Sequence, residues 1–396
     1  MQEKKKIIVA PLNWGLGHAA RCIPIINALL ENGYEVIIAS DGGALTLLQK
    51  EFPALESLEL PAYNIHYAGK NLALSVALQS FKILFAVVRE YFFLKKFLKN
   101  TSRKNNSGKN NLNNKFLNAE KKNLENVESS SIIDHRSSSN IYAIISDNRL
   151  GFFNCVAEKN IFITHQYNIK TPYRSLDIFI NIFNRFFINR FDACWIPDVE
   201  GVPNLAGSLS HGALIKKNTT HYIGTLTRMK NFNAPKIYAV TAVLSGPEPQ
   251  RTELEKIMLN AFQKYSLAHP EKKLCIVRGT GSDVGFPISD VGKSIEVKHL
   301  LTTGELNEVL MQSELLIARS GYSTIMDLTA LKIPSILIPT PGQTEQEYLA
   351  DKLLKENIFY AVAQDAFDLE KDLPLSKNYA GFKTNEFFHK SIIEFL

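Results

Sequence analysis

The feature that most constrains the fold lies at the start of the chain. A short β-branched run, Ile7 to Pro11, passes through the glycine turn Asn13-Trp14-Gly15-Leu16-Gly17-His18 into a helical stretch, Ala19 to Asn32. Gly33 closes that helix and Tyr34 to Ala39 is a second apolar run. The pattern predicts a βαβ unit and therefore a parallel sheet. Further apolar runs end in polar residues: Ile141 to Ser146 before Asp147, Ile161 to Thr164 before His165, and Ala193 to Pro197 before Asp198. Ligands gather beyond such carboxyl ends in open parallel sheets.

The alternation begins again in the second half. Ile237 to Leu244 reads as a strand, Ser245-Gly246-Pro247-Glu248 as a turn, and Glu253 to Ser266 as a helix. Lys273 to Val277, Ile295 to Val297 and Leu315 to Ala318 follow as strands, with a turn at Gly279-Thr280-Gly281-Ser282 and a helix over Gly304 to Gln312. A chain of 396 residues is long enough for two cores. The expected architecture is α/β, with two doubly wound Rossmann-like domains facing across a cleft. The expected division is 1–223, a linker from Gly224 to Lys236, a second domain over 237–380, and a C-terminal helix, 381–396, returning to the first domain. Between Lys99 and Asn140 there are 11 Asn and 8 Ser and little apolar periodicity, which predicts a low-complexity insertion in the first domain.

Composition excludes other classes. Hydrophobic residues at 45% and charged residues at 21% are globular values. The N-terminal Met1-Gln2-Glu3-Lys4-Lys5-Lys6 lacks the apolar stretch of a secretory signal, which predicts a cytoplasmic location. Cys22, Cys155, Cys194 and Cys275 have no paired spacing, so neither a zinc site nor a disulfide framework is expected.

The positive charge is uneven: residues 1–140 carry 18 Lys and Arg against 12 Asp and Glu, and the remainder is balanced at 27 against 27. A basic first half suits an anionic membrane surface, an acidic acceptor, or a plain solvated face. No nucleic-acid partner is expected. Ala73 to Leu98 is the most apolar helical stretch, but Lys82, Arg89, Glu90, Lys95 and Lys96 interrupt it, so it does not read as a membrane span. Its aromatics fit either a helix lying on a bilayer or one packed on its own sheet. Phe183 to Phe191 offers the same pair of roles.

Two segments carry candidate chemistry. In the first, Asn13, Gly15 and Gly17 let the chain turn sharply at a helix N-terminus, where amides and dipole favour an anion. The turn has neither the third glycine of a dinucleotide fingerprint nor a P-loop Lys-Ser/Thr pair. His18 stands in the first helical turn, suited either to take a proton from an attacking hydroxyl or simply to cap the helix. Asp147 and His165 are candidates to orient His18 or the acceptor, with loop capping as the alternative.

The second segment is Arg319-Ser320-Gly321-Tyr322-Ser323-Thr324, which follows a strand and opens a helix, Ile325 to Leu331. Ser323 and Thr324 suit a diphosphate seat, and Asp327 is placed to hold a ribose. Helix capping and a dipole-compatible acid are the alternatives. A strand, Ile333 to Pro339, then leads to Thr340-Pro341-Gly342-Gln343-Thr344-Glu345-Gln346-Glu347-Tyr348, whose amides and carboxylates suit sugar hydroxyls or an ordinary solvated helix start.

The glycine-turn histidine, the Arg-Ser-Gly-x-x-Thr-x-x-acid block and the Pro-x-x-x-x-x-x-Gln-x-Tyr block together resemble the GT-B glycosyltransferases. Within them the chain is most similar to family 28, which includes the peptidoglycan lipid II N-acetylglucosaminyltransferases and the galactolipid synthases. Both halves share the likeness, most specifically about Val277 to Leu353. The resemblance implies transfer of a hexose or N-acetylhexosamine from a UDP-sugar to a hydroxyl acceptor, with inversion and no obligatory metal or other cofactor. The basic and aromatic segments Phe81 to Lys99 and Phe183 to Phe191 fit a lipid-linked acceptor and peripheral contact with the inner face of an anionic membrane, with core or domain packing as the alternative.

Carried onto this sequence, the resemblance places Ser282, Ser323 and Thr324 at the diphosphate, Asp327 at the ribose and His299 and Leu300 near the base, with Gly281, Ser320, Gly321 and Gln343 also among the donor-binding residues. Gln346 and Glu347 would lie at the sugar, and His18 at the position of the base or acceptor contact. The sequence departs from the family at Glu347, where Gln is usual, at Asp327, where Glu is usual, and at Gly246 to Arg251, where prolines replace flexible residues. Arg251 is nonetheless expected to reach a phosphate. A UDP-sugar 2-epimerase of the same architecture and a non-catalytic nucleotide-sugar or lipid-binding protein remain as alternatives.

Overall fold

The computed structural model describes residues 4–63, 82–99, 141–154, 157–171, 173–212, 215–216, 218–246, 248–279, 294–379, 381–382 and 392–396. The expected insertion beyond residue 99 and the turn carrying Gly281 and Ser282 lie outside the described residues.

Strands β1 (Lys6–Pro11), β2 (Glu35–Ser40), β3 (Glu56–Glu59), β4 (Ile141–Asp147), β5 (Lys159–Ile163), β6 (Ala193–Ile196) and β7 (Thr220–Tyr222) form the first sheet. Their order is β3-β2-β1-β4-β5-β6-β7, with parallel pairing throughout. Strands β8 (Tyr238–Val243), β9 (Leu274–Val277), β10 (Ile295–Lys298), β11 (Ser313–Ala318), β12 (Ser335–Leu337) and β13 (Tyr360–Ala361) form the second. Their order is β10-β9-β8-β11-β12-β13, again all parallel. In each sheet the winding direction reverses between the first strand and the fourth, which opens a crevice there. The pairs concerned are β1 with β4 and β8 with β11.

The helices follow from apolar spacing. Helix α1 (Leu16–Glu31) buries Ala19, Cys22, Ile23, Ile26 and Leu29 on the sheet, the three-and-four repeat of one helix face. Its core is shared with α7 (Tyr322–Leu331), whose Ile325 and Met326 are fully buried in the same apolar cluster. Burying a side chain of this size contributes about 1.5–3 kcal/mol, so the contact of α1 with α7 holds the two halves face to face.

Three local expectations needed adjustment. Helix α5 (Gln250–Ala268) starts before Glu253 and takes Arg251 into its first turn. Strand β3 reads Glu-Ser-Leu-Glu and sits at the sheet edge with little burial, so it has no apolar alternation to betray it. The described part of the tail expected to be a helix is a 3-10 turn, Ile392–Phe395. It packs on the first sheet, where Leu396 O accepts from Tyr142 Oη at 2.9 Å and Phe395 lies against Trp195 and His221.

The apolar helix over 82–99, α3, divides its faces. Val87, Leu94 and Leu98 are buried, while Phe85 and Phe92 are 69% and 60% exposed. Among the described residues no helix is long and apolar enough to cross a membrane.

Candidate functional site

The crevice beyond β1 and β4 holds a connected set of charged side chains. Gly15 precedes α1 with φ of +83°, a conformation that favours glycine, and the turn it makes sets His18 over the end of the sheet. Asn13 fixes the other side of the turn, donating to Asp41 Oδ2 at 3.0 Å and accepting from the Ala44 amide at 3.2 Å.

His18 Nδ1 lies 2.9 Å from Asp147 Oδ1. Arg21, one turn further along α1, donates through Nε to Asp147 Oδ2 at 2.5 Å and through NH2 to Oδ1. Burial alone would raise the pKa of Asp147. The Arg21 charge and then His18 outweigh it, holding the carboxyl well below the usual range. Arg21 NH2 also lies 3.0 Å from His18 Nδ1, but it donates to the nearer Asp147 Oδ1; because an ionised carboxylate repels a bare imidazole lone pair, the His18 proton is placed on Nδ1, between the two, and Nε2 is left as the acceptor.

Arg21 also donates through NH1 to His165 Nδ1 at 2.8 Å. That nitrogen therefore carries no proton, and His165 Nε2–H donates to Glu345 Oε1 at 2.7 Å. Gln166 Nε2 donates to the other oxygen of Glu345. Burial depresses the His165 pKa, with Glu345 opposing it. Burial likewise pushes Glu345 up, but His165, His18 and Arg21 bring it below its ordinary value. The His165 ring stacks on Tyr322, centroids 4.2 Å apart, and Tyr322 Oη donates to Pro197 O at 2.7 Å.

The second half meets this set at the start of α7. Ser323 Oγ donates to Gly17 O at 3.0 Å, and a Cβ on Gly17 would stand 2.9 Å from the same Oγ. Gly321 is the N-cap, Thr324 lies in the first turn, and the free amides of that turn point toward the crevice end of the helix. Asp327 accepts from Thr227 Oγ1 at 2.6 Å, and burial raises its pKa to about 6 against the pull of Arg228. His299 and Leu300 follow β10, and Leu300 O accepts from Lys50 of the first half at 3.2 Å.

Several expected ligand-binding side chains hold backbone instead. Ser320 Oγ donates to Gln346 O at 2.8 Å, and Gln346 Oε1 accepts from the Thr340 amide at 2.8 Å. Glu347 accepts from the Gly342 amide at 2.8 Å, whereas Gln343, the N-cap residue of α8 (Thr344–Lys355), makes no capping hydrogen bond through its side chain. Arg251 is bound by Glu248 and Glu255, not free for a phosphate. Arg319 takes the buried-cation position: it is 1% exposed and donates to the carbonyls of Ile338, Pro339 and Gln250, and burial lowers its pKa to about 10. Its hydrogen bonds include none to a carboxylate among the described residues. Gly281 and Ser282 lie outside the described residues.

Sequence reasoning missed Arg21, Gln166 and Glu345 as site residues. Arg21 had a signal, since a residue three after His18 shares its helix face. Glu345 stood in a segment flagged for its carboxylates and Gln166 follows His165, but their pairing had no signal, because 179 positions separate them in sequence.

Comparison with known proteins bears on the fold and on the second half of the chain. Residues 245–375 match the glycosyltransferase family 28 C-terminal domain. The UDP-N-acetylglucosamine–N-acetylmuramyl-(pentapeptide) pyrophosphoryl-undecaprenol N-acetylglucosamine transferase of Oenococcus oeni is 54% identical over 109 residues, 26% of this chain and 28% of that protein. The enzyme of the same name from Rickettsia felis is 22% identical over 48% of this chain and 54% of its own length. The chain thus spans about half or less of the length of these curated relatives. The solved structure of Arabidopsis thaliana UGT89C1 complexed with UDP-L-rhamnose superposes with a TM-score of 0.59 over 98% of this chain and 92% of that one, at 12% identity. The chain as a whole has the GT-B glycosyltransferase fold, and its residues 245–375 are similar to the glycosyltransferase family 28 C-terminal domain.

Proposed function

We propose that this protein is an inverting glycosyltransferase that moves a hexose or N-acetylhexosamine from a UDP-sugar to a hydroxyl of a lipid-linked acceptor. The observation that carries this is the oriented His18 and Asp147 pair set directly against the start of α7 by the Ser323 to Gly17 hydrogen bond. A proton acceptor and an anion-favouring helix N-terminus on opposite sides of one crevice are the two parts a displacement at an anomeric carbon needs.

In this mechanism the acceptor hydroxyl gives its proton to His18 Nε2 as its oxygen attacks the anomeric carbon from the face opposite the diphosphate. The new C–O bond forms while the bond from that carbon to the phosphate oxygen breaks, and UDP leaves with the electron pair. Asp147 and the Nδ1–H bond stabilise the resulting imidazolium. The amides of the first turn of α7 stabilise the charge on UDP. The Arg319 guanidinium, buried beside that turn, adds positive potential there. Asp327 holds the ribose, and the reaction as written uses no metal.

The acceptor's lipid would approach from the first half. Helix α4 (Arg174–Ile188) exposes Ile178, Phe179, Ile182, Phe183 and Phe186, and α3 exposes Phe85, Val88 and Phe92. Tyr91 of α3, Phe153 and Phe191 touch in series between the two helices, and Arg190 lies over Phe186. A broad apolar surface beside basic side chains suits an anionic bilayer. It would place the protein in the cytoplasm at the membrane's inner face.

The test is a thermal-shift screen over nucleotide sugars, since a donor that binds the folded state raises the melting temperature. UDP-N-acetylglucosamine comes first, followed by a transfer assay with polyprenyl-linked acceptors and NMR of the product's anomeric centre. Stabilisation by a UDP-sugar and inverted product are expected. Retention, or epimerised free sugar without acceptor, would remove the assignment.

A further inference from the structure

We infer that Glu345, a carboxylate from the second half of the chain, is a positioning residue for the His18 base, so that the base is fully oriented only while the two halves are docked. The inference rests on the proposed role of His18 as the proton acceptor. Its physical basis is the direction of each hydrogen bond between the two residues.

Glu345 accepts from His165 Nε2 and from Gln166 Nε2, one on each oxygen. This fixes the His165 proton on Nε2 and leaves Nδ1 bare to accept from Arg21 NH1. With one nitrogen so engaged, Arg21 donates through Nε and NH2 to the two oxygens of Asp147, and NH2 also lies 3.0 Å from His18 Nδ1. Asp147, held square to the helix by this fork, receives Nδ1–H of His18. Without Glu345 the His165 Nε2–H loses its acceptor and the ring is free to turn, which withdraws the Nδ1 acceptor from Arg21 NH1. Arg21 must then turn, and the fork that aims Asp147 at His18 is disturbed.

The position of Glu345 depends in turn on docking. It lies in the first turn of α8, whose Thr344 Oγ1 donates to Lys170 O at 2.7 Å. Tyr348 Oη accepts from the Ser208 amide and hydroxyl, both at 3.0 Å. Tyr322, also from the second half, stacks on His165 and limits its rotation. Two residues of the second half therefore clamp one histidine of the first. Opening of the crevice would release both, and the base would regain its orientation on closure around the donor.

The experiment compares the wild type with Glu345→Gln and Glu345→Ala by histidine side-chain NMR, with the signals assigned through His18→Gln and His165→Gln. Calorimetry with UDP and turnover with UDP-N-acetylglucosamine accompany it. We expect the Nε2–H tautomer at His165 and the Nδ1–H tautomer at His18 in the wild type. In Glu345→Ala the His18 signals should move together with those of His165. UDP affinity should change by less than about threefold, and kcat should fall about 10- to 100-fold with the donor KM held. Glu345→Gln retains one acceptor for His165 and should fall between the two.

Movement of the His165 signals with His18 unchanged would overturn the inference, as would equal losses in UDP affinity and kcat. Failure of the wild type to bind UDP would instead remove the donor assignment, and the tautomers would still decide the link from Glu345 to His18.

Discussion

The two sides of the crevice were built differently. The donor side is local: residues 319–348 run through one strand end, one helix start, a second strand and a second helix start. The acceptor side is assembled from distant pieces, with His18 and Arg21 on α1, Asp147 at the end of β4, His165 after β5 and Glu345 on α8. Contiguity makes a segment easy to find, but it does not say what each side chain does. On the donor side, Ser320, Gln346 and Glu347 each satisfy a backbone group, and Ser323 does the same for Gly17 across the crevice. On the acceptor side the side chains themselves form the site.

The comparison is open to attack in order of expected effect. The largest should come from His18→Ala, which is expected to lower kcat by about 10²- to 10⁴-fold, with UDP binding by calorimetry nearly unchanged. Turnover close to wild type would show that the acceptor side is structural as well.

Asp147→Asn should follow, through stability as well as rate. It leaves Arg21 buried beside a neutral amide, a loss of about 3–5 kcal/mol in denaturant melts at pH 7. Because the folded pKa of Asp147 is depressed, its stabilisation is present above its ordinary pKa and is lost as pH falls through the folded value. Wild type and variant should therefore converge on acidification, and parallel curves would place the charge elsewhere.

Gln346→Ala sharpens the donor side. It removes the acceptor of the buried Thr340 amide, costing about 1–3 kcal/mol of stability. If the donor sugar were read by this side chain alone, sugar affinity would change while the melting temperature stayed fixed.

Asp327→Asn should be smallest. The folded pKa near 6 is raised, so the stability linked to the protonated form is full below the ordinary value and is lost as pH rises through 6. The variant should melt slightly higher than wild type at pH 7, by about 1 kcal/mol or less, and no higher at pH 4. It should also bind UDP more weakly, since an ionised carboxylate is the better ribose acceptor. Unchanged affinity would leave Asp327 as a partner of Thr227 alone.

Helix α3 illustrates how far periodicity carries. Its amphipathic pattern allowed packing on the sheet or contact with a bilayer, and the structure buries Leu94 and Leu98 against the first sheet while Phe85 and Phe92 face outward. Arg251 illustrates the limit. A guanidinium after a glycine turn suggested phosphate, yet Glu248 and Glu255 neutralise it within its own helix region, and the buried cation without such a partner is Arg319.

The sequence by itself determined the two parallel sheets, the glycine turn that starts α1 and the helix start at residues 321–324. Each is fixed by short-range rules of apolar spacing, glycine conformation and helix ends. The tertiary structure alone decided which polar side chains meet. Hydrogen-bond partners such as His165 and Glu345 become neighbours only when two separate cores pack together, and nothing in their local sequence specifies that distance.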